Sequence, residues 1–304
     1  MGSRRQFITP MSRLKADLLL LFTAAVWGVA FLFQKSATAH IGPLTFLAMR
    51  GLVAFLALAP LALAEGRQAP AARHAFYLTS VGGGGAFLIA GWLQQAGLKT
   101  ATVTNTGFLT ALYVVITPLI VLCWSGKMPN PLVWPAVAMS AVGTWLLGGG
   151  ELGAFSLGDL LVAISAVFWA VQVVITANAS RYRRPIGFTT LQFAVVAVLG
   201  GLAAIALEPV DRAGLSAAAV EIAFVGLFSS ALTFTLLTIA MQHTPPSEAA
   251  IIVGTETLFA AGAAYLWLGE RLSALGWVGA ILILAASLLV QLGAVGHRRG
   301  ADQS

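Results

Sequence analysis

Thr23, Trp27, Ala30 and Gln34 are separated by four, three and four residues, a spacing that stacks them along one face of a helix. A shift of 142 positions gives Ser165, Trp169, Gln172 and Thr176, again small polar, indole and amide side chains in a stripe. Indoles offer flat apolar faces with a single N–H, and amides donate and accept hydrogen bonds without carrying charge. Two such stripes suit reversible binding of a zwitterionic or amphipathic solute between facing walls. The same residues also suit plain hydrogen bonding between helices packed in lipid. Two charges sit inside otherwise apolar runs. Arg50 lies seven residues into its run, where an arginine at a lipid-embedded helix centre costs on the order of 2.5 to 3.5 kcal/mol; it must be solvated, paired or reach the interface along its own stem. Glu256, nine residues beyond Ser247, is the acidic residue deepest in any run. It could pair with Arg50, stay protonated in the core, or exchange protons as a coupling group.

Bond-making chemistry finds little support. His40, His74, His243 and His297 fall in or beside predicted loops, too scattered for a metal cluster, and Gly-Lys-Ser/Thr, Gly-x-Ser-x-Gly and His-Glu-x-x-His sequences are absent. The single cysteine, Cys123, excludes an intrachain disulfide and a thiolate metal site; inside an apolar run, packing is its expected role. No metal, cofactor or nucleotide is expected. The net charge of +6 comes from dispersed loop residues, which argues for membrane orientation and against nucleic acid.

These residues need elements that live in lipid. Of the 304 residues 59% are apolar and 9% charged, against roughly 25% charged in soluble domains, too few to cover a water-exposed surface. Ten apolar runs approach the ~20 residues that cross a bilayer: 17–34, 43–64, 76–94, 100–123, 131–149, 158–179, 187–207, 218–241, 247–268 and 274–295. Their continuity excludes the alternation of β-barrel strands. The first run follows four basic residues and precedes Ala37-Thr38-Ala39, as in a secretory signal, but Leu18 to Phe33 is longer than the usual apolar core of ~7 to 15 residues and recurs in the second half. It reads as a retained helix.

The recurrence is regular: Asp17, Trp27, Pro43 and Phe46 return as Asp159, Trp169, Pro185 and Phe188, each 142 later. Such a period marks two structural repeats, expected over residues 17–150 and 151–296, flanked by a segment 1–16 and a tail 297–304. Five spans per repeat, an odd number, make the second repeat inverted. With both termini inside, twelve Lys and Arg fall on the inner side against four outside, which predicts cytoplasmic termini in a bacterial-type inner membrane.

Ala25-Val26-Trp27-Gly28, Phe31, Gln34-Lys35, Pro43 and Arg50 resemble the opening of an EamA-type repeat of the drug/metabolite transporter superfamily. Glu256-Thr257, Tyr265-Leu266-Trp267-Leu268-Gly269-Glu270-Arg271 and Trp277 resemble its closing signature, with Ser125-Gly126-Lys127 at that place in the first half. Ten spans with a Trp in the first helix of each half are similar to YddG-type exporters of amino acids and related metabolites. The resemblance implies ten helices around a central cavity lined by the first, third and fourth helices of each repeat. On the fourth helix Asn105, Phe108 and Leu112 share a face, flanked by Thr104 and Tyr113, so Asn105 and Phe108 join Thr23, Trp27, Gln34, Trp169, Gln172 and Thr176 as expected solute contacts, with hydrogen bonding between helices as the other reading of Asn105. Gly83 and Gly84, within Gly82–Gly85, read either as a hinge or as a place of close helix packing, and Gly148–Gly150 as a helix stop. The expected function is secondary export of amino acids or similar small metabolites by alternating access. Export of cationic or aromatic drugs is the alternative, and a channel or an intramembrane enzyme is further off.

Overall fold

The computed structural model describes residues 11–66, 70–126, 128–147, 156–269, 271 and 273–301, and no strand occurs among them. Gly148–Gly150, Lys127, Glu270 and the junction expected between the repeats lie outside the described residues. The first half contains α1 (Arg13–Ala37), α2 (Pro43–Ala64), α3 (Pro70–Gly97), α4 (Val103–Thr110), α5 (Tyr113–Ser125) and α6 (Val133–Leu147). The second contains α7 (Leu157–Ser180), α8 (Pro185–Leu207), α9 (Arg212–Ala217), α10 (Ala219–Phe224), a π-helix over Val225–Leu232, α11 (Thr233–Ala240), α12 (Pro246–Val253), α13 (Glu256–Leu268) and α14 (Ala274–Ala301). Nine spans among the described residues have the length and hydropathy to cross a bilayer, and α6 is a shorter tenth. This is the expected architecture, two inverted five-span repeats around a central cavity. Its outer surface is apolar: Leu14, Leu63 and Ile205 face outward, and Trp124, Trp267 and Trp277 stand exposed near span ends, where indoles suit the lipid headgroup level.

Local signals set the ends of the helices. Ser12 caps α1 and Ser156 forms a reciprocal capping box with Asp159 at α7, while proline opens both α2 and α8. Gly126 and Gly269 end the fourth and ninth spans in the left-handed conformation (φ 64° and 71°), so the two halves stop these spans alike although the following residues differ.

The inversion is visible where α2 meets α8. Glu208, just past α8, accepts from the Leu44 and Thr45 backbone N–H at the start of α2 (2.9 and 2.8 Å). Glu65, just past α2, accepts from the Ile186 and Gly187 N–H at the start of α8 (3.0 and 2.7 Å). Each carboxylate satisfies orphan donors and meets the positive end of its neighbour's dipole. Equivalent helices thus run antiparallel and cap one another.

Asp17 and Asp159 mark opposite faces of the bundle. On the face holding the start of α1, Arg13 pairs with Asp17 (2.8 Å) and Glu248 (2.6 Å), and Thr244 donates to Asp17 (3.0 Å). On the opposite face Asn105 donates a long 3.4 Å bond to Asp159, and Lys35 Nζ donates to the Leu98 and Ala101 carbonyls.

The glycine run packs closely, one of its two readings, and three placements read from sequence are corrected. α3 runs unbroken through Gly82–Gly85, and a Cβ on Gly84 would sit 2.6 Å from the Val195 side chain, so here the glycines let α3 approach α8. α3 also extends to Gly97, which places Gln94 inside the span rather than at its end. His74 and His297 lie within α3 and α14, not beside loops. Cys123 is exposed on α5, so it fills no interior space.

Candidate functional site

The fourth and ninth spans are each interrupted. α4 stops at Thr110 and α5 restarts at Tyr113; α12 stops at Val253 and α13 restarts at Glu256. A shift of 142 carries Ala111 and Leu112 onto Val253 and Gly254, within one residue of the second break at Gly254-Thr255, so the breaks correspond. Pro118, which has no N–H, leaves the Val114 carbonyl without its helical donor inside α5. The ninth-span break puts Glu256 in the first turn of α13, where unpaired N–H groups and the helix dipole favour a carboxylate. Tyr113 occupies the corresponding turn of α5 and faces Glu256 closely enough to interact, although no hydrogen bond of regular geometry joins Tyr113 Oη to Glu256 Oε1.

Between the halves lies a narrow cavity, about 470 Å³ when the open space at its mouth is included, lined by both tryptophans, both charges and the polar groups beside them. Trp27 donates Nε1–H to Thr233 Oγ1 (2.7 Å) and the Ser229 carbonyl (3.1 Å) in the eighth span. Trp169 donates to Gln94 Oε1 in α3 (3.2 Å), and Gln94 Nε2 donates to Thr110 Oγ1 in α4 (3.1 Å). Each indole is therefore pinned by its N–H to the third span of the other repeat. What the cavity receives is ring surface. Phe234 joins the two walls, with ring centroids 4.7 Å from Trp27, 5.1 Å from Phe87 and 6.3 Å from Trp169.

Arg50 is buried, and its guanidinium lies over the Phe87 ring at 5.3 Å and the Phe46 ring at 6.0 Å. Nε donates to Ser230 Oγ (2.9 Å), which donates to the Val225 carbonyl five residues back (2.8 Å), a bond that the π-helical turn makes available. Among the described residues no carboxylate pairs with Arg50, so the pairing with Glu256 considered from sequence is not formed.

Trp27, Gln34, Arg50, Trp169, Gln172 and Glu256 all line the cavity, as do Phe31 and Val173. Gln172 is also tied into the bundle, donating to Thr176 Oγ1 (2.8 Å) and Gln192 Oε1 (3.1 Å). Thr23, Thr176, Asn105 and Phe108 stand off the lining. Thr23 and Thr176 are sealed between helices, and Asn105 sits in the first turn of α4 toward Asp159, because α4 begins only at Val103. Sequence reasoning missed Gln94, Thr110, Ser229 and Phe234 and gave Tyr113 only a flanking place. Polar side chains inside apolar runs were the available signal for Gln94 and Thr110; nothing marked Phe234 among so many apolar neighbours.

A second recess, about 1040 Å³ with the open space outside it included, opens on the face of Arg13 between Ser125, Asn178 and Pro245–Glu248. Among the described residues no group of three or more His, Cys, Asp or Glu side chains gathers as a metal site.

The profile of the EamA-like transporter family matches this chain twice, over residues 14–149 and 156–292. A protein of Archaeoglobus fulgidus named "Uncharacterized transporter" is 27% identical over 283 residues, covering 93% of this chain and 87% of the relative. A solved crystal structure superposes with a TM-score of 0.74 at 20% identity, covering 92% of this chain and 98% of the other, a likeness of fold.

Proposed function

The chain belongs to the EamA-like transporter family, and from that premise we propose that this membrane transporter is a secondary carrier exporting small organic metabolites, foremost neutral and aromatic amino acids, by alternating access. The observation that carries the reading is the cavity at the level of two equivalent helix breaks, where aromatic faces, amides, one cation and one carboxylate converge. Interrupted spans at a repeat interface are where inverted-repeat carriers bind solute. Aromatic faces suit an apolar side chain, and the polar groups suit the ammonium and carboxylate of an amino acid. Cationic drugs fit less well, since Arg50 lines the same space and has no carboxylate partner among the described residues. The excess of Lys and Arg on the face of Arg13 supports a cytoplasmic orientation of that face, onto which the recess opens. Export runs on the solute's own gradient or on a proton gradient that acts through Glu256.

The purified protein in liposomes, tested with a panel of labelled amino acids, should show saturable flux and counterflow with neutral or aromatic members. Flux that never saturates would mean a pore. Movement of organic cations without any amino acid would replace this reading with drug export. In cells, Lys35→Cys should react with an impermeant maleimide and Arg183→Cys should not; the reverse would overturn the orientation.

A further inference from the structure

We infer that Arg50 is the carboxylate anchor of the cavity, so the solute class is monocarboxylates with an apolar or aromatic body, of which neutral amino acids are one kind. The inference rests on the transport reading above but names a specific contact within it.

A buried guanidinium normally has a carboxylate beside it, because an unpaired charge out of water is costly. Arg50 has none among the described residues. Its side-chain hydrogen bond among the described residues leaves from Nε to Ser230, and its plane rests on Phe87. One edge of the group is thus pinned and one face covered, which leaves the terminal N–H fork for the cavity it lines. A planar fork fixed in this way matches a carboxylate with two parallel hydrogen bonds.

The fold itself does not ask for a cation here. A shift of 142 carries Arg50 onto Gln192, where a neutral amide bonded to Gln172 fills the equivalent place. Nor does the fold ask for the π-helix that presents Ser230: the equivalent stretch of the first half lies in the uninterrupted α3, with Leu88 at the serine's position. The second half therefore departs from helical regularity at the residue that orients Arg50. Single-turn π distortions often accompany binding sites. Glu256 in the same cavity limits the anion's charge, because a dianion such as a phosphate monoester would add repulsion from that carboxylate.

The test uses four compounds sharing one ring: phenylalanine, 3-phenylpropanoate, phenethylamine and phenyl phosphate. Each is measured by ligand-induced thermal shift on the detergent-purified protein and by inhibition of amino-acid counterflow in proteoliposomes. Wild type should bind phenylalanine and 3-phenylpropanoate at least tenfold more tightly than phenethylamine or phenyl phosphate. Arg50→Gln should bring phenylpropanoate and phenethylamine within threefold of each other, and Arg50→Lys should keep only part of the preference. Ser230→Ala, which frees the guanidinium without removing its charge, should weaken carboxylate binding severalfold while leaving phenethylamine unchanged; this variant decides the matter if Arg50→Gln does not fold. Equal binding of amine and carboxylate by wild type, tight binding of phenyl phosphate, or an unchanged preference in a folded Arg50→Gln would each overturn the assignment. Amino-acid flux with an unchanged preference in Arg50→Gln would sink the anchor and leave the transport reading. Phenylpropanoate stabilising wild type but not Arg50→Gln, with no amino acid moved, would do the opposite.

Discussion

The first repeat carries Arg50 where the second carries Gln192, and the second carries Glu256 where the first carries Val114. Against these differences stand closely matched features. Trp27 and Trp169 are each pinned to the third span of the opposite half, the fourth and ninth spans break within one residue of the same place, and Glu65 and Glu208 cap each other's helices. The matched features hold or bend the bundle; the unmatched ones put charge into the cavity. Exchange of conformation between inverted halves needs the mechanical parts to be nearly equivalent. A solute with one head and one tail has no twofold symmetry, so the groups that grip it need not be duplicated. Asymmetry is thus a guide to recognition, and symmetry a guide to motion.

The sharpest way to break this comparison is Glu256→Gln. If the charge confined to the second half couples transport to protons, this change, which keeps size and hydrogen bonding but cannot release a proton, should abolish uptake driven by a pH gradient while downhill flux persists. Wild-type flux indifferent to an imposed pH gradient would reduce Glu256 to a partner of Tyr113. Next in size are the matched indoles: Trp27→Ala and Trp169→Ala should each lower transport at least tenfold, by similar factors, with folded yield largely kept. A large loss for only one of them would mean that the walls are not equivalent.

The framework was legible in the sequence because it repeats. Asp17 and Asp159, Trp27 and Trp169, and Pro43 and Pro185 fix the period, and an odd number of spans per period forces the inversion. Arg50 and Glu256 were legible because charge in an apolar run is costly and therefore conspicuous. The helix breaks were not. Ala111-Leu112 carries no breaking residue, and the second half breaks correspondingly with Ala260 where the first has Pro118, so the interruption depends on packing against neighbours that only the folded chain supplies. The π-helix was hidden for the same reason, since Val225–Leu232 reads as ordinary apolar helix. Gln94 escaped because its span was ended too early, and Asn105 was placed too deep because its span was started too early. An error of three residues is one turn of helix, enough to move a side chain into or out of a cavity.

A smaller effect probes a steric difference between the halves. A Cβ on Gly28 would lie 2.5 Å from Phe259 Cβ and 2.6 Å from the Glu256 carbonyl, while the equivalent Ala170 already carries one. Gly28→Ala should therefore force α1 away from α13 at a cost of about 1 to 3 kcal/mol. Ala170→Gly should cost about 1 kcal/mol through helix propensity. Thermal unfolding in detergent would compare them, and a neutral Gly28→Ala would show that the contact of α1 with α13 is looser than its geometry.

The finest comparison is between the two capping carboxylates. Glu65→Gln and Glu208→Gln each exchange a charge-assisted cap for an amide that accepts through one oxygen only, which should cost about 1 kcal/mol per site from lost dipole and hydrogen-bond energy. Their surroundings are not identical. Glu208 also accepts from Thr45 Oγ1 (2.8 Å), whereas Glu65 has Arg184 Nε at 3.7 Å. A neutral hydroxyl contact is indifferent to ionic strength and an ion pair near the membrane surface is screened by it. Unfolding at low and high salt should accordingly separate two variants that look alike at one condition, with the deficit of Glu65→Gln shrinking in salt and that of Glu208→Gln shrinking less. The sites lie at opposite ends of a 22-residue helix, roughly 30 Å apart at 1.5 Å per residue, so the double variant should show additive costs to within about 0.5 kcal/mol. A double variant costing well under the sum would mean that freeing one end of the α2–α8 pair already releases the other, and that these two helices separate as a unit instead of being held independently at each face.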